Sequence, residues 1–347
     1  MPVTIRDVAR ASGVHVSTVS RTFSAPHLVN AETRSRVLSA AERLGYRPNR
    51  AARALITGRT HNIGLIVADI ANPFFPPLIK AAEAQARQRD YHVFVADFNE
   101  DPLVEEQLVR ALAKQVDGVL LCSPRVGNHV IEELRREVPL VVVNRLVEGS
   151  PTVVMDVGQG ARSAIEHLIG LGHRDLLLLA GPRGSWTSRE IRRSAMATAR
   201  SGGATLTVLG PNQPTEAAGR AAAEAVAASG ASAVLAYNDL MAIGLLDGLH
   251  ALGLRVPADL SVVGIDDITV SRLLRPKLTT VSNPTAAAGR TAVDMLLQLG
   301  DDRRTTAQVT LPTELIVRDS TGPGPKTLAL PAQIGAEAAL HPSYAKE

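Results

Sequence analysis

The chain has 347 residues and 45% hydrophobic content, enough for two or three domains with cores of their own. Its net charge of +3 is unevenly spread: residues 1–60 hold ten arginines, no lysine and three acids, a net +7, which leaves the remainder at −4. The single cysteine, Cys122, excludes an intrachain disulfide, and the lack of an apolar signal core or of a run approaching a membrane span points to a cytoplasmic protein.

Val3–Arg21, VTIRDVARASGVHVSTVSR, reads as two short helices around a tight turn. Thr4 can cap the first helix, and Asp7 three residues on can complete a capping box. Ile5, Val8 and Ala9 fall on one apolar face, and Gly13 supplies the residue without a Cβ that a sharp turn needs. The second helix is expected over Val16–Thr22, with Val16 and Val19 inward and Ser17, Thr18 and Arg21 outward. This is helix-turn-helix spacing, whose second helix enters the DNA major groove; the plainer reading is a helical hairpin with a polar surface. A third helix, Ala31–Leu44, starts at the cap Asn30, buries Val37, Ala41 and Leu44, and stops at Gly45. A basic head on a mildly acidic body suits phosphate contact at one end only.

Pro48 disfavours α geometry at Arg47, so the chain is extended there. Arg50–Ile56 is helix-prone yet too short to be stable alone in water. From His61 short apolar runs alternate with helical stretches. IGLIVAD, HVFVAD, GVLLCS and LVVVN read as buried parallel strands, with helices near 77–89, 102–115 and 128–137. Cys122 falls in the third run as a small buried hydrophobe. The pattern restarts after VVMD, with strands LLLLAG, TLTVLG, AVLAYND and LSVVGID and helices near 158–170, 188–201, 214–228 and 240–252. Two doubly wound α/β units follow. A helix near 286–299 and one strand over TAQVTLPTELIVRD come last. Pro323, Pro325 and Pro331 then prevent a long helix, so residues 320–347 are expected to form a loosely ordered tail.

Three motifs, VTIRDVARASGVHVSTVSR, GYRPNRAARAL and IGLIVADIANPFF, resemble those of the lactose/galactose-repressor (LacI/GalR) family of transcriptional regulators, and the resemblance runs from about residue 3 to 319. It implies an α/β protein with an N-terminal three-helix helix-turn-helix head (1–47), a hinge helix (48–60) and two doubly wound lobes of the periplasmic-binding-protein type. The first lobe would comprise 61–156 plus about 285–300, the second 157–284 plus about 301–319. It further implies a homodimer on double-stranded operator DNA, with Val16 and Ser17 facing base edges. Thr4, Ser20, Arg21 and Asn30 would meet phosphate, and Arg50 and Arg53 the backbone or groove. Leu55 would wedge between base steps in the minor groove; packing on the body, as part of an ordinary linker helix, is the alternative. A sugar-like effector in a cleft would close the lobes and bias whether two hinge segments pair and fold. No sustained leucine heptad marks the tail, so a dimer is expected rather than a tetramer.

In open α/β sheets ligands bind beyond the carboxyl ends of the strands. The polar residues there are Asp69 and Asn72, Asp97, Ser123 and Arg125, Asn144 and Arg145, Asp156, Asn238 and Asp239, and Asp266 and Asp267. Short amides and carboxylates suit a ligand with several hydroxyls, and equally serve as helix N-caps. By family position Asn238 and Asp266 take hydroxyl contacts, with Asp69, Ser123, Asn144 and Asn283 as further candidates. Asp239 and Asp267 read as caps or interdomain contacts. Phe74 matches the family's aromatic at the cleft or belongs to the lobe core, and Trp186 could stack on a sugar face. Where many relatives carry an Arg this chain has Ile191. The clamp is therefore expected at Arg189 or Arg192, which could equally grip a carboxylate or phosphate.

Signals for an enzyme are poor. GQGA at 158–161 lacks the third glycine of a dinucleotide loop, and no P-loop, nucleophile elbow or His/Cys metal spacing occurs. No cofactor or metal is expected. A solute-binding protein of the same two-lobed type would carry an export signal and no head.

Overall fold

The computed structural model describes residues 3–47, 58–299 and 306–325. The expected hinge helix, with Arg50, Arg53 and Leu55, and the tail from residue 326 onward lie outside the described residues. The chain divides into two compact units. One ends at Met155 and resumes over Pro284–Leu311; the other covers Asp156–Asn283 and resumes at Pro312.

The head consists of α1 (Ile5–Ser12), α2 (Val16–Ser24) and α3 (Ala31–Leu44). Thr4 opens α1: its backbone N–H and its hydroxyl both donate to Asp7 Oδ2, at 3.0 and 2.7 Å. Gly13 ends α1 at φ 65°, in the left-handed region where a side chain would be strained. The N-cap of α2 is His15, whose Nδ1 accepts the Ser17 N–H at 3.3 Å. Asn30 caps α3 by accepting the Thr33 N–H at 2.8 Å. Val8, Val19 and Val37 are fully buried at the centre, each contributing about 1.5–3 kcal/mol. The rings of Phe23 and Tyr46, 5.8 Å apart, close one edge.

The first unit holds a parallel sheet of β1 (Asn62–Val67), β2 (His92–Asp97), β3 (Gly118–Cys122), β4 (Leu140–Val143), β5 (Thr152–Met155) and β11 (Gln308–Leu311), in the order β11-β5-β4-β3-β1-β2. β3, β4 and β5 are buried throughout, as strands covered on both faces must be. β2 is an edge strand, and its Phe94 and Val95 are exposed. The helices are α4 (Phe75–Arg87), α5 (Pro102–Leu112), α6 (Asn128–Glu137) and the returning α12 (Thr285–Leu299). α12 approaches α4 closely at Gly289, where a Cβ would stand 2.4 Å from the Leu78 carbonyl oxygen.

The second unit holds β6 (Asp175–Leu179), β7 (Thr205–Leu209), β8 (Ala233–Ala236), β9 (Ser261–Asp266), β10 (Thr279–Ser282) and β12 (Glu314–Ile316), in the order β12-β10-β9-β8-β6-β7. β12 runs antiparallel to β10 and the other pairs are parallel. Its helices are α7 (Val157–Gly170), α8 (Trp186–Ser201), α9 (Glu216–Ala221), α10 (Ala223–Ala228) and α11 (Asp239–Ala251).

Three expectations are corrected. TAQVTLPTELIVRD is two strands in two sheets: β11 pairs with β5, β12 with β10, and Pro312, which has no N–H to give a ladder, stands between them. Gln308–Leu311 therefore belongs to the first lobe, not the second. The helix expected near 214–228 is two short ones, α9 and α10. The tail begins in ordered structure: Ser320 is fully buried, donates to Val262 O (2.6 Å) and accepts the Thr279 N–H (2.8 Å). Gly322 N–H donates to Ser261 Oγ (3.1 Å) and Gly324 N–H to Leu171 O (2.8 Å).

Candidate DNA-binding head and ligand-binding strand ends

In the head, Val16 is half-buried at the start of α2 while Ser17 and Arg21 are exposed and Ser20 half-buried. Positions 16, 17, 20 and 21 lie along one strip of a helix. The Ser17 hydroxyl stands 2.9 Å from His15 Nδ1, so the cap residue also fixes this side chain. Thr4 and Asn30 are exposed caps. Arg6, Arg10, Arg36 and Arg43 are exposed around them. The main acid near α1, Asp7, is already committed to Thr4, whose hydrogen bonds hold its carboxyl below the usual value.

In the first lobe Ser123 and Asn144 directly follow β3 and β4. Both are in the left-handed region, at φ 52° and 60°, and Asn144 Nδ2 donates to Ser123 Oγ at 3.0 Å. Non-glycine residues there are strained, and such strain gathers at functional sites. The loop after β3 is held from behind. Glu105, fully buried on α5, accepts the N–H groups of Arg125 (2.7 Å) and Val126 (3.0 Å). Burial pushes its carboxyl up to about 7 against those bonds. Arg125 pairs with Glu100, and Arg145 donates to Val126 O (2.6 Å) and Asn128 Oδ1 (2.5 Å). Arg125 and Arg145 are thus braces. Asp69 Oδ1 accepts the Ala71 N–H and Asp97 Oδ2 the Ile70 N–H, as turn caps. Phe74 is 6% exposed and packs edge-on against Phe75 in the core.

In the second lobe Asn238, expected by family position to contact a ligand hydroxyl or else to cap a helix, caps α11. Its Oδ1 accepts the Met241 N–H at 2.9 Å and its Nδ2 donates to Pro214 O at 3.1 Å. Asp239 is an internal brace, accepting from Ser271 (2.6 Å), Thr280 (2.5 Å) and the Ile268 N–H (3.0 Å). Burial pushes its carboxyl up to about 6. Asp267 pairs with Arg318 of its own lobe, and Asp156 caps α7. Asp266, at φ 124°, and Asn283 remain: Asn283 Nδ2 donates to Asp266 Oδ1 at 3.0 Å. Burial, then the charge of Asp239, raises the Asp266 carboxyl well above its usual value. Asn283 is 8% exposed, and its Oδ1 is buried with no hydrogen-bond partner. A buried acceptor without a donor is costly, and Asn283 Oδ1 is one of several such atoms among the described residues, Glu105 Oε1 being another.

Trp186 opens α8, half-buried against the lobe core. Arg189 and Arg192 are exposed on that helix, whereas Ile191 is 1% exposed in the core. Position 191, where the resemblance led an Arg to be expected in many relatives, is buried in the core here. Two residues that the sequence did not single out join this edge: Ser185, the buried cap of α8, and Tyr237, whose hydroxyls lie 3.1 Å apart. The Tyr237 ring lies over Gly181, where a Cβ would come within 2.4 Å of it.

The comparisons with known proteins bear on the family and the fold. The profile of bacterial regulatory proteins of the lacI family matches residues 4–49, and that of a periplasmic binding protein-like domain matches residues 165–321. The HTH-type transcriptional regulator GalS of Salmonella typhimurium is 33% identical over 304 residues, covering 85% of this chain and 89% of that one. The chain belongs to the lacI family of bacterial regulatory proteins. Within the family's solved structures, the lac repressor dimer bound to operator and the anti-inducer ONPF superimposes with a TM-score of 0.84 at 28% identity, over 93% of this chain and 100% of that one. The CelR–cellobiose complex does so with a TM-score of 0.69 at 30% identity, over 92% and 99%. As a lacI-family member the chain is a DNA-binding transcriptional regulator, not an enzyme.

Proposed function

We propose that this regulator is a repressor that binds a near-palindromic DNA duplex as a homodimer and answers to a small hydroxylated ligand, a sugar or sugar derivative. The observation that carries the reading is the outward strip of α2 on a head with a large excess of arginine. Val16 can meet a thymine methyl, and Ser17, aimed by His15, can donate to or accept from a base edge. Thr4, Ser20, Arg21 and Asn30 suit phosphate contacts, which position without specifying. Arg50, Arg53 and the wedge Leu55 are proposed for the hinge. The dimer and operator named for the lac repressor structure support the assembly. So do Phe94 and Val95 on edge strand β2, apolar surface that a second copy would cover.

The ligand half rests on Asn283 and Asp266: a sugar hydroxyl could donate to the orphan Asn283 Oδ1. Ser123 and Asn144 would serve the first lobe, and Trp186 would offer a face for stacking. Cellobiose in the CelR complex supports the ligand class. The ligand acts only through unequal affinity for two states of the protein. The protein would work in the cytoplasm, on the nucleoid when bound; among the described residues no helix is long and apolar enough to cross a membrane.

Selection of duplexes from a random pool by the full chain tests the reading, followed by binding titrations with a panel of monosaccharides and disaccharides that includes ribose and cellobiose. An enriched inverted repeat is expected, with affinity that falls steeply as salt rises, and with a shift in affinity on adding one of the sugars. No enrichment sinks the DNA reading, and an enriched duplex indifferent to every sugar sinks the ligand class.

A further inference from the structure

Where the chain enters the first lobe, one carboxylate gathers three donors. Thr60 donates to Asp117 Oδ1 through its backbone N–H (2.6 Å) and its hydroxyl (2.7 Å), and the His61 N–H donates to Oδ2 (3.0 Å). The Thr60 hydroxyl oxygen also accepts the Asn62 N–H at 3.2 Å. His61 itself stands at φ 56°, a left-handed turn that a non-glycine residue adopts only under constraint. β1 begins at the next residue, so this turn sets the direction in which the chain leaves the lobe toward residue 57.

Asp117 is well placed to impose that direction. It immediately precedes β3, which is buried along its whole length, and its own N–H donates to Asn62 O at 2.8 Å. Beside the turn, a cavity of about 320 Å³ is lined by Gly58, Thr60, Tyr91, Lys114, Asp117 and Leu296. The turn is held by these hydrogen bonds to a carboxylate, which are stronger than neutral ones, and by the ring of His61 lying 5.1 Å from that of Tyr91.

We propose that Asp117 is a positioning residue for DNA binding: it fixes the exit of the chain from the first lobe and so the direction from which each head is presented. This rests on the reading of the head as DNA-binding. A duplex with two half-sites is gripped by two heads, and the second contact is governed by effective concentration, which a loosened exit lowers. A single half-site makes no such demand. The readout is therefore full-site affinity divided by the square of half-site affinity, the effective-concentration term, which a loss of folding in the head would not change.

The experiment uses the full chain, the duplex it selects from a random pool, and one half of that duplex, with affinities read by fluorescence anisotropy. Asp117→Ala is expected to weaken full-site binding by at least about tenfold while half-site binding stays within about twofold. Amide exchange at Thr60 and His61 should quicken. Thr60→Val should show a smaller loss, and the double variant should be no worse than Asp117→Ala alone. Should Asp117→Ala fail to fold, the isosteric Asp117→Asn and Thr60→Val carry the same comparison. Unchanged full-site affinity with faster exchange at Thr60 and His61 overturns the inference, as does equal loss on both duplexes or additive losses in the double variant. A parent chain that selects no duplex overturns the DNA reading itself, and this inference with it.

Discussion

The carboxyl ends of the two sheets carry similar residue types and use them differently. In the first lobe most polar groups behind the strand ends bond to one another, although Glu105 Oε1 is buried without a partner. Glu105 grips the loop after β3, Arg125 pairs with Glu100, and Arg145 ties Val126 to Asn128. In the second lobe both oxygens of Asp239 are met, while Asp266 and Asn283 share one bond and leave an acceptor over. A polar residue at a strand end is thus not in itself a ligand contact. What marks the Asp266–Asn283 pair is an unpartnered oxygen on a residue that directly follows a strand, whereas the unpartnered oxygen of Glu105 sits on α5.

The sharpest way to break this contrast is within the second lobe. Asp239→Ala would strand the donors of Ile268, Ser271 and Thr280, each at about 1–3 kcal/mol. Denaturant unfolding should show that lobe losing about 3–5 kcal/mol. Asp266→Asn should do the opposite. It removes a carboxyl that burial and the charge of Asp239 disfavour, so stability should hold or rise. Affinity for the sugar that binds the parent chain should fall by about fiftyfold or more in calorimetry, as expected when a buried partner of a ligand hydroxyl is altered. If Asp266→Asn unfolds the lobe and leaves sugar binding intact, the two aspartates have been assigned the wrong way round.

The contrast also explains what the sequence could and could not reveal. α3 was legible to the residue, because Asn30 and Gly45 mark both its ends chemically. The parallel strands were legible as apolar runs. The split of TAQVTLPTELIVRD had one local mark, Pro312, but alternation continues through both halves and the assignment to two sheets rests on partners distant in sequence, Thr152–Met155 and Thr280–Ser282. Asn238 and Asn283 are both amides after strands, and no local pattern says that Pro214 occupies one while nothing meets the oxygen of the other. Glu105 follows the same logic: in PLVEEQL it looks like its neighbour Glu106, and only the loop it meets turns it inward.

Glu105 gives the next test, on the first lobe. Its carboxyl rises from 4.5 to about 7 in the folded chain, so the folded state holds the proton more tightly than the unfolded one. Its contribution is full below the unfolded value and is lost as pH rises through about 7, then stays flat. The loss between pH 5 and 7.5 should be on the order of 1–3 kcal/mol. Glu105→Gln, which keeps an oxygen for the Arg125 and Val126 N–H groups, should flatten that part of the profile. A variant with the parent's pH dependence would place the titration elsewhere, and Asp239, raised to about 6, is the residue to examine next.

The smallest expected effect concerns the aromatic at the second lobe's edge. The Tyr237 ring is seated by Gly181, which leaves room for it, and its hydroxyl meets Ser185 at 3.1 Å. If position comes from the seat and not from the hydroxyl, Tyr237→Phe should cost about 1 kcal/mol of stability at most. Sugar affinity should then change by less than about threefold, because the apolar face remains. Gly181→Ala, which drives a Cβ into the ring, should cost more on both measures. A tenfold loss of affinity in Tyr237→Phe would instead mean that the hydroxyl leaves Ser185 to read the ligand. The second lobe would then hold a third polar contact, and its open hydrogen-bonding capacity would lie beyond Asp266 and Asn283.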